Sequence, residues 1–332
     1  MKQIIYVVSS DSQQIYVWEM NSRGALELLQ VVSTPGNGQP ILIHPAGTYL
    51  YVGVRPISGI VSYCIDERGL LTEYNTTPLP AYPSYLTIDC CENTLFSVSY
   101  HGNCLTVSSI DMKGIISPPF QILNNLNRCH SVNINTINHT VWVPCLKEDR
   151  IRIYTIDKFN SLTPHKLEAL SVKIGSGPRH MVFHKNGNYA YVINEFSGTV
   201  DVISTNFKST RPPHIVQTLD MMPFNFEGNR WASDIHITPD NHWIYCCDRT
   251  ANILSRFLVS KNGENLTFLG YHNTETQPRS FNIDSQGRFL ITAGQKSNYI
   301  AVYSINNRSG SLSFLSRYKV GKGPSWLSIL EL

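Results

Sequence analysis

The sequence lacks long apolar runs and carries few charges. It has 332 residues, of which 42% are hydrophobic and 15% are charged, yet no apolar stretch reaches the roughly 18 to 20 residues that a membrane-spanning helix needs. We therefore expect no membrane span. The first residues lead directly into a strand-like segment, Ile4–Val8, which predicts no cleaved leader. A formal net charge of only +3 argues against nucleic acid as a partner.

The cysteine spacings typical of metal sites and disulfide frameworks are also missing. The eight Cys include two adjacent pairs, Cys90-Cys91 and Cys246-Cys247, but no Cys-x-x-Cys. Neighbours in a strand point to opposite faces, so adjacent Cys do not readily bridge. The pattern favours neither a zinc site nor a disulfide framework. It predicts a reduced protein in the cytoplasm, with Cys as small apolar filler.

Several catalytic signatures are absent. The sequence has no Gly-x-Ser-x-Gly elbow and no Gly-rich phosphate loop, which argues against a serine hydrolase or P-loop mechanism. Its His residues are spread across the repeat units, and no His pair at a spacing of two or four residues is joined by a carboxylate, which gives only weak support for a metal site. We therefore expect no metal site.

What the sequence does contain is a repeat. Apolar segments that precede polar turns begin near Gly38, Pro83, Cys129, Pro178, Ala232, Pro278 and Pro324. Consecutive starts lie about 45 to 54 residues apart, a period typical of propeller blades. Each full unit contains four β-type segments, which we name A to D. We interpret the longest interval as an insertion over roughly Thr205–Arg230, not as a second domain.

The two chain ends complete one unit. The last start, Pro324, supplies only an A segment, whereas Ile4–Ser9, Gln14–Met20 and Ala25–Val32 read as B, C and D. Six complete units and one split unit predict an all-β, seven-bladed β-propeller with four-stranded antiparallel blades, forming a single domain over residues 1–332. The C-terminal strand should close the ring on the N-terminal strands, which removes exposed sheet edges. An array of β-sandwiches would not explain the split unit.

This architecture predicts one polar face. Strand A is antiparallel to strand B, so A starts and B ends should surround the same mouth of the central channel, where loops carry function. The A starts carry Gln39, Ser84, His130, Arg179, His180, Ser233, Asp234, Arg279, Ser280, Ser325 and Trp326. The B ends carry Arg55, Tyr100, His101, Lys147, Asn194, Glu195, Asp248, Arg249, Gln295 and Lys296.

Cationic groups dominate this face. Any single Arg or Asp at a blade turn could equally serve a structural salt bridge, and Asp248 beside Arg249 fits that role well. The concentration of Arg, Lys and His in a nearly charge-balanced chain instead favours a site for a small anion, because guanidinium groups bind phosphate and carboxylate in a bidentate manner.

Longer stretches distributed along the chain carry a family resemblance. They are Cys129–Asn133, Trp142–Pro144, Lys147–Ile151, Gly177–His184, Asn194-Glu195, Thr218–Pro223, Asp234–Asp240, Cys247–Thr250, Thr274–Arg279 and Ala293–Lys296. Along the whole chain the sequence resembles the bacterial propeller-type 6-phosphogluconolactonases. The wider family also contains fungal carboxy-muconate lactonising enzymes.

The resemblance implies hydrolysis of 6-phospho-glucono-lactone in the oxidative pentose phosphate pathway of glucose metabolism, without metal or organic cofactor. It also implies a functional set on His130, Arg179, Glu195 and Arg249. As a hypothesis, His130 or Glu195 is the general base, and His130 is preferred because nearby Arg would weaken Glu195 as a base. Arg179 and Arg249 would polarise the carbonyl oxygen. The remaining expected substrate-binding residues are Arg55, His101, Lys147, His180, Asp234, Arg279, Gln295 and Lys296.

Two alternatives stay open at this point. A cycloisomerase acting on an unsaturated dicarboxylate would need similar Arg clamps and an acid–base pair. A non-enzymatic propeller scaffold would bind a peptide or protein partner, and Trp326 and Tyr100 could serve either role. The oligomeric state is open, with a monomer favoured.

Overall fold

The computed structural model describes residues 2–207 and 211–332, which form strands and turns almost throughout. One 3₁₀ turn occupies Ser10–Ser12. The strands of the first half are β1 Gln3–Ser9, β2 Gln14–Met20, β3 Leu26–Ser33, β4 Asn37–Ile43, β5 Tyr49–Arg55, β6 Gly59–Ile65, β7 Leu71–Pro78, β8 Tyr85–Ile88, β9 Thr94–Ser99, β10 Cys104–Ser109, β11 Gln121–Leu123, β12 Asn133–Asn135, β13 Thr140–Cys145, β14 Arg150–Ile156 and β15 Leu162–Ser171. Those of the second half are β16 Pro178–Phe183, β17 Tyr189–Asn194, β18 Thr199–Ser204, β19 His214–Asp220, β20 Ala232–Ile237, β21 Trp243–Asp248, β22 Ile253–Val259, β23 Leu266–Asn273, β24 Pro278–Ile283, β25 Phe289–Gly294, β26 Tyr299–Ile305, β27 Leu312–Lys319 and β28 Pro324–Glu331.

These strands form seven four-stranded antiparallel sheets, so the predicted propeller is confirmed. Six sheets use four consecutive strands, starting with β4–β7 as blade 1 and ending with β24–β27 as blade 6. Blade 7 has the order β28-β1-β2-β3, in which β1 pairs with β28 from Gln3 opposite Glu331 to Ser9 opposite Pro324. The predicted closure by the two chain ends is therefore confirmed.

Burial explains why the order of apolar and polar residues differs between the strands of a blade. The middle strands are buried on both faces; all six residues of β21 are buried, for example. The outermost strands alternate, as in β23, where buried or half-buried positions alternate with exposed ones. Apolar clusters join neighbouring blades, so that Tyr191 and Ile193 of blade 4 pack with Ile244 and Phe257 of blade 5. The core of the propeller thus lies between its blades.

A repeated hydrogen bond also ties blade to blade. The hydroxyl of Tyr191 in blade 4 donates to the backbone oxygen of Gly263 in blade 5 at 2.7 Å, and Tyr245 donates in the same way to Gly310 of blade 6 at 2.6 Å. Burial raises the pKa of both phenols above the usual value. The contacts between neighbouring blades are therefore both apolar and hydrogen-bonded, and they support the mouth of the channel.

The interval interpreted as an insertion is not one continuous insert. It contains β19, the D strand of blade 4, and the extra length lies on either side of that strand. Residues 208–210 of the interval fall outside the described residues. The second part, Met221–Trp231, returns to the channel mouth, and Trp231 reaches the site described below. In the two described ranges, no helix is long and apolar enough to cross a bilayer.

Candidate active site

β-Bulges at the start of the inner strands direct polar side chains. In β16, Pro178 and His180 pair with consecutive residues of β17, which leaves Arg179 as the extra residue of a bulge. The same register shift makes Arg279 the extra residue of β24. A bulge bends its strand and re-aims the side chain of the extra residue. The repeat thus offers equivalent positions at which an Arg can leave the plane of its blade.

A pocket opens at this mouth of the channel. It draws residues from six blades, so no single repeat unit contains it. Its lining consists of Gln39, Arg55, Tyr82, Pro83, Ser84, Tyr100, His101, His130, Glu195, Trp231, Arg249 and Arg279.

Glu195 is the carboxylate of the pocket, and its two oxygens are both engaged. Oε2 lies 2.7 Å from Nε of Arg179 and 3.0 Å from Nη2 of Arg249. Oε1 accepts a hydrogen bond from the indole of Trp231 at 3.1 Å. The guanidinium of Arg249 also lies 4.0 Å from the centre of the Trp231 ring and donates to the backbone oxygen of Ala232 at 2.9 Å. Glu195 and Trp231 therefore fix Arg249 in one orientation.

The charges in this group are strongly coupled. Burial alone would raise the pKa of Glu195, but Arg179 and Arg249 lower it below its ordinary value. Burial, reinforced by Arg179, lowers the pKa of Arg249 to about 10. It lowers that of Arg279 to about 9, again with help from Arg179 and Arg249. At neutral pH the pocket thus holds one carboxylate and an excess of guanidinium charge.

His130 provides a neutral imidazole beside this charge. It precedes β12, is only 6% exposed, and its backbone N–H donates to the oxygen of Pro144 at 3.0 Å. Its Nδ1 lies 3.2 Å from Nε2 of His180. Burial lowers the pKa of His130 well below its usual value, and Arg179 and other nearby cationic groups add to this effect. The imidazole is therefore unprotonated at pH 7 and can accept a proton.

The other side of the pocket is formed by Arg279, Arg55 and His101. The side-chain oxygen of Gln39, with its amide turned to face these donors, accepts from Nη2 and Nε of Arg279 at 2.7 and 3.2 Å. Nδ1 of His101 lies 3.4 Å from Nη1 of Arg128. Burial, then Arg128 and Arg55, lowers the pKa of His101. This side of the pocket combines positive charge with open access to solvent.

Comparison with known proteins identifies the family to which the chain belongs. Residues 4–329 match the family model described as lactonase, 7-bladed beta-propeller. The chain belongs to this family. It is 60% identical over 330 residues to a protein named 6-phosphogluconolactonase from Sodalis glossinidius (strain morsitans), with 99% of each chain covered.

Solved structures show the same lactonase fold. A putative 6-phosphogluconolactonase from Bacteroides fragilis is 26% identical, with a TM-score of 0.88 and coverage of 99% of this chain and 98% of that one. A periplasmic gluconolactonase from Pseudomonas aeruginosa is 24% identical, with a TM-score of 0.91 and coverage of 100% and 99%. At that identity the second likeness concerns the fold alone.

The four residues that the lactonase resemblance implied are brought together, but at two depths. His130, Glu195 and Arg249 line the pocket, whereas Arg179 is only 1% exposed and lies behind Glu195. Arg179 also donates through Nη1 to the backbone oxygen of Ser233. Its placement suits support of Glu195 and the channel wall more than direct contact with a substrate.

The other expected binding residues separate into three groups. Arg55, His101 and Arg279 line the pocket. His180 and Asp234 are each 3% exposed and lie deeper in the channel. Lys147, Gln295 and Lys296 stand outside the pocket lining.

Contacts account for the positions of two residues in that last group. Nζ of Lys147 lies 4.7 Å from the centre of the Phe196 ring. The side-chain oxygen of Gln295 accepts from Gln277 at 2.9 Å. Their expected roles in binding remain predictions, and the geometry places Arg55 and Arg279 ahead of them.

Sequence reasoning missed Tyr82, whose ring lies 5.1 Å from that of His101. The available signal was its position directly before Pro83, where blade 2 begins. Trp231 directly follows the interval that the sequence analysis interpreted as an insertion, and its indole binds Glu195. Across residues 2–207 and 211–332, no group of three or more His, Cys, Asp and Glu side chains is placed to hold a metal ion.

Proposed function

We propose that this chain hydrolyses 6-phospho-D-glucono-1,5-lactone to 6-phospho-D-gluconate. The observation that carries the proposal is a neutral, buried imidazole at His130 facing the same pocket as the guanidinium groups of Arg249 and Arg279. A lactonase needs a base for water and positive charge for the developing oxyanion. The names of the close relatives supply the sugar phosphate as substrate class.

In the proposed mechanism His130 is the general base. Its imidazole takes a proton from a water molecule as the water oxygen attacks C1 of the lactone. Arg249 and Arg279 stabilise the negative charge that forms on the carbonyl oxygen. When the intermediate collapses, the bond between C1 and the ring oxygen breaks, and the ring oxygen takes the proton back from His130. The product is the open-chain acid, which loses its proton to solvent.

Glu195 is the weaker candidate for the base. Both of its oxygens are already occupied, and Arg179 and Arg249 hold its pKa low. To take up a proton, Glu195 would have to give up its ion pairs with Arg179 and Arg249, which leaves both guanidinium groups without a carboxylate. We assign to Glu195 the orientation of Arg249, and to Arg179 the support of Glu195 from beneath.

The test is a lactonase assay on purified protein with 6-phospho-glucono-lactone, corrected for spontaneous hydrolysis. Turnover well above the uncatalysed rate is expected. The cycloisomerase alternative predicts conversion of an unsaturated dicarboxylate instead. The scaffold alternative predicts neither reaction and no rise in melting temperature with the sugar-phosphate product.

We also propose the biological setting that this activity implies. The chain would act as a single-domain, cytoplasmic enzyme of the oxidative pentose phosphate pathway, with a small anionic lactone as its partner. We propose a monomer, because the base and the cationic groups that the mechanism uses suffice without residues from a second copy. Sedimentation of the purified protein would test the monomer.

Replacing Arg55 with alanine should weaken binding of the phosphorylated substrate selectively. Arg55 lines the side of the pocket away from Glu195 and has no salt-bridge partner among the described residues, so it is available to a phosphate group. A hydrogen bond to a charged group contributes about 1.5–3 kcal/mol, or about 10- to 100-fold in KM. The measurement compares KM for 6-phospho-glucono-lactone with that for unphosphorylated glucono-lactone, which should change little.

Arg308 provides a matched control for Arg55. It is an exposed Arg in the turn between β26 and β27, on the opposite face of the propeller, so Arg308→Ala should leave both KM values unchanged. An equal loss for both substrates in Arg55→Ala would show that Arg55 does not recognise the phosphate.

A further inference from the structure

A line of hydrogen-bonded groups runs from His130 down the channel. Nδ1 of His130 lies 3.2 Å from Nε2 of His180, and Nδ1 of His180 lies 2.8 Å from Oδ1 of Asp234. Oδ2 of Asp234 lies 3.3 Å from Nε2 of His236. These groups come from three different blades. His180, Asp234 and His236 border a second cavity below the pocket, and the substrate pocket reaches only His130.

The hydrogen positions in this line follow from its fixed donors and acceptors. Nη1 of Arg179 lies 3.3 Å from Nε2 of His180, and a guanidinium can only donate, so Nε2 of His180 carries no hydrogen. Nδ1 of His180 must then carry the hydrogen and donate it to Asp234. The single lone pair of His180 Nε2 is shared between Nη1 of Arg179 and Nδ1 of His130. Nδ1 of His130 therefore carries its hydrogen, because two unprotonated nitrogens would otherwise oppose their lone pairs. The lone pair of His130 is therefore on its Nε2.

From this geometry we infer that Asp234 and His180 are positioning residues, which hold His130 in the tautomer whose unprotonated Nε2 serves as the base. The inference rests on the proposed lactonase function and extends it to residues that cannot reach the substrate. In chymotrypsin-like triads one carboxylate fixes the tautomer of the catalytic imidazole directly. Here an additional imidazole lies between the carboxylate and the base.

The surroundings of His180 suit a fixed, neutral link. Its ring lies 5.2 Å from that of Tyr85 and 5.7 Å from that of Trp326, measured between centroids. Burial, with Arg179, lowers the pKa of His180 to about 4, so it does not take up a proton at pH 7. A packed ring with one donor and one acceptor nitrogen transmits orientation without titrating.

Asp234 is equally constrained. Its Oδ1 accepts from the backbone N–H of Ile235 at 3.1 Å, and its Oδ2 faces the backbone N–H of Phe281 at 3.4 Å. Each oxygen thus faces a backbone donor as well as a histidine. An Asn at this position would have to turn its NH₂ group toward one of these donors, so Asp234→Asn disturbs the line without changing its volume.

Two variants test the inference. Asp234→Asn and His180→Phe, which retains a ring between Tyr85 and Trp326, should each lower kcat by about 10- to 100-fold with KM nearly unchanged. Nitrogen NMR of ¹⁵N-histidine-labelled protein reads the tautomer directly. Wild-type His130 should be protonated on Nδ1 at pH 7, and both variants should lose that preference. His184→Phe is the control, because His184 directly follows β16, at the end of that strand away from the pocket, and is also buried.

The outcomes separate the inference from the proposed function. In a His130→Ala background, His180→Phe should cause no further loss of activity, since it acts through His130. An Nε2-protonated His130 in the wild type, or unchanged kcat in folded variants with unchanged melting temperatures, would overturn the inference. If the wild-type protein showed no lactonase activity, the proposed function would fail, yet the NMR measurement would still decide the tautomer.

Discussion

Replacing His130 with alanine should lower kcat/KM for the phosphorylated lactone by about 100- to 1,000-fold, the usual contribution of a well-placed general base. The side chain is buried against Tyr100 and His180, with ring centroids 5.6 and 5.0 Å away, and it is the imidazole of the pocket whose pKa is lowered most strongly. Stopped assays with correction for spontaneous hydrolysis measure the effect. KM should change less than kcat, because we propose that Arg55, on the other side of the pocket, binds the phosphate.

The pH profile provides a second readout of the same residue. A general base must be unprotonated, so kcat/KM should rise with pH through the pKa of His130 and then level off. Burial and the positive charges of Arg179, Arg279 and Arg249 place that pKa below its usual value of about 6.5. The wild-type profile should therefore be flat at neutral pH with an acid limb below it, and His130→Ala should lose this limb.

His242 is the matched control for His130. It lies in the turn before β21, is exposed, and pairs with Asp240 through Nδ1 at 2.9 Å. His242→Ala should leave kcat, KM and the acid limb unchanged. Near-normal turnover in His130→Ala would reject His130 as the base and return Glu195 to that role, despite its ion pairs.

Much of the fold was predictable because the propeller repeats its pattern in sequence. Turn residues and apolar runs recur at a nearly constant interval, and a split unit has one economical explanation, closure by the two ends. The predicted segment Gln14–Met20 coincides with β2, and the predicted segment Ile4–Ser9 lies within β1. Such agreement arises since a strand with both faces buried between blades tolerates little besides apolar residues.

The depth of individual Arg residues was not predictable in this way. Arg179 and Arg279 both follow a Pro at the start of an inner strand, and both occupy a bulge. In blade 4 the residue after β17 is Glu195, which pairs with Arg179. In blade 6 the equivalent residue is Gln295, so Arg279 instead meets Gln39 across the channel. The difference depends on contacts between blades, which a repeat alignment does not contain.

Removing the carboxylate of Glu195 should have the largest effect on stability. Arg179 and Arg249 are 1% and 5% exposed, and Glu195 is the acidic side chain that pairs with both. Loss of one partner from a buried ion pair costs about 3–5 kcal/mol, because the remaining charges stay buried without compensation. Glu195→Ala should lower the free energy of unfolding by that amount, measured by urea denaturation at pH 7.

Two comparisons make the Glu195 prediction specific. Glu19 pairs with Lys2 at 2.8 Å, but both side chains are about one-third exposed, so Glu19→Ala should cost less than about 1 kcal/mol. The folded-state pKa of Glu195 is lowered, so its contribution is present above the unfolded-state pKa and is lost as pH falls through the folded-state value. The difference in the free energy of unfolding between wild type and Glu195→Ala should therefore become smaller at acidic pH.

An added anion should partly restore the stability that Glu195→Ala loses. Without Glu195, the guanidinium groups of Arg179, Arg249 and Arg279 form a buried cluster of positive charge next to an open pocket. Phosphate that binds the folded state but not the unfolded state stabilises it by mass action. The melting temperature of Glu195→Ala should thus rise more steeply with phosphate than that of the wild type. A parallel rise in both proteins, or a stability loss no larger than that of Glu19→Ala, would show that this carboxylate does not hold the cationic cluster together.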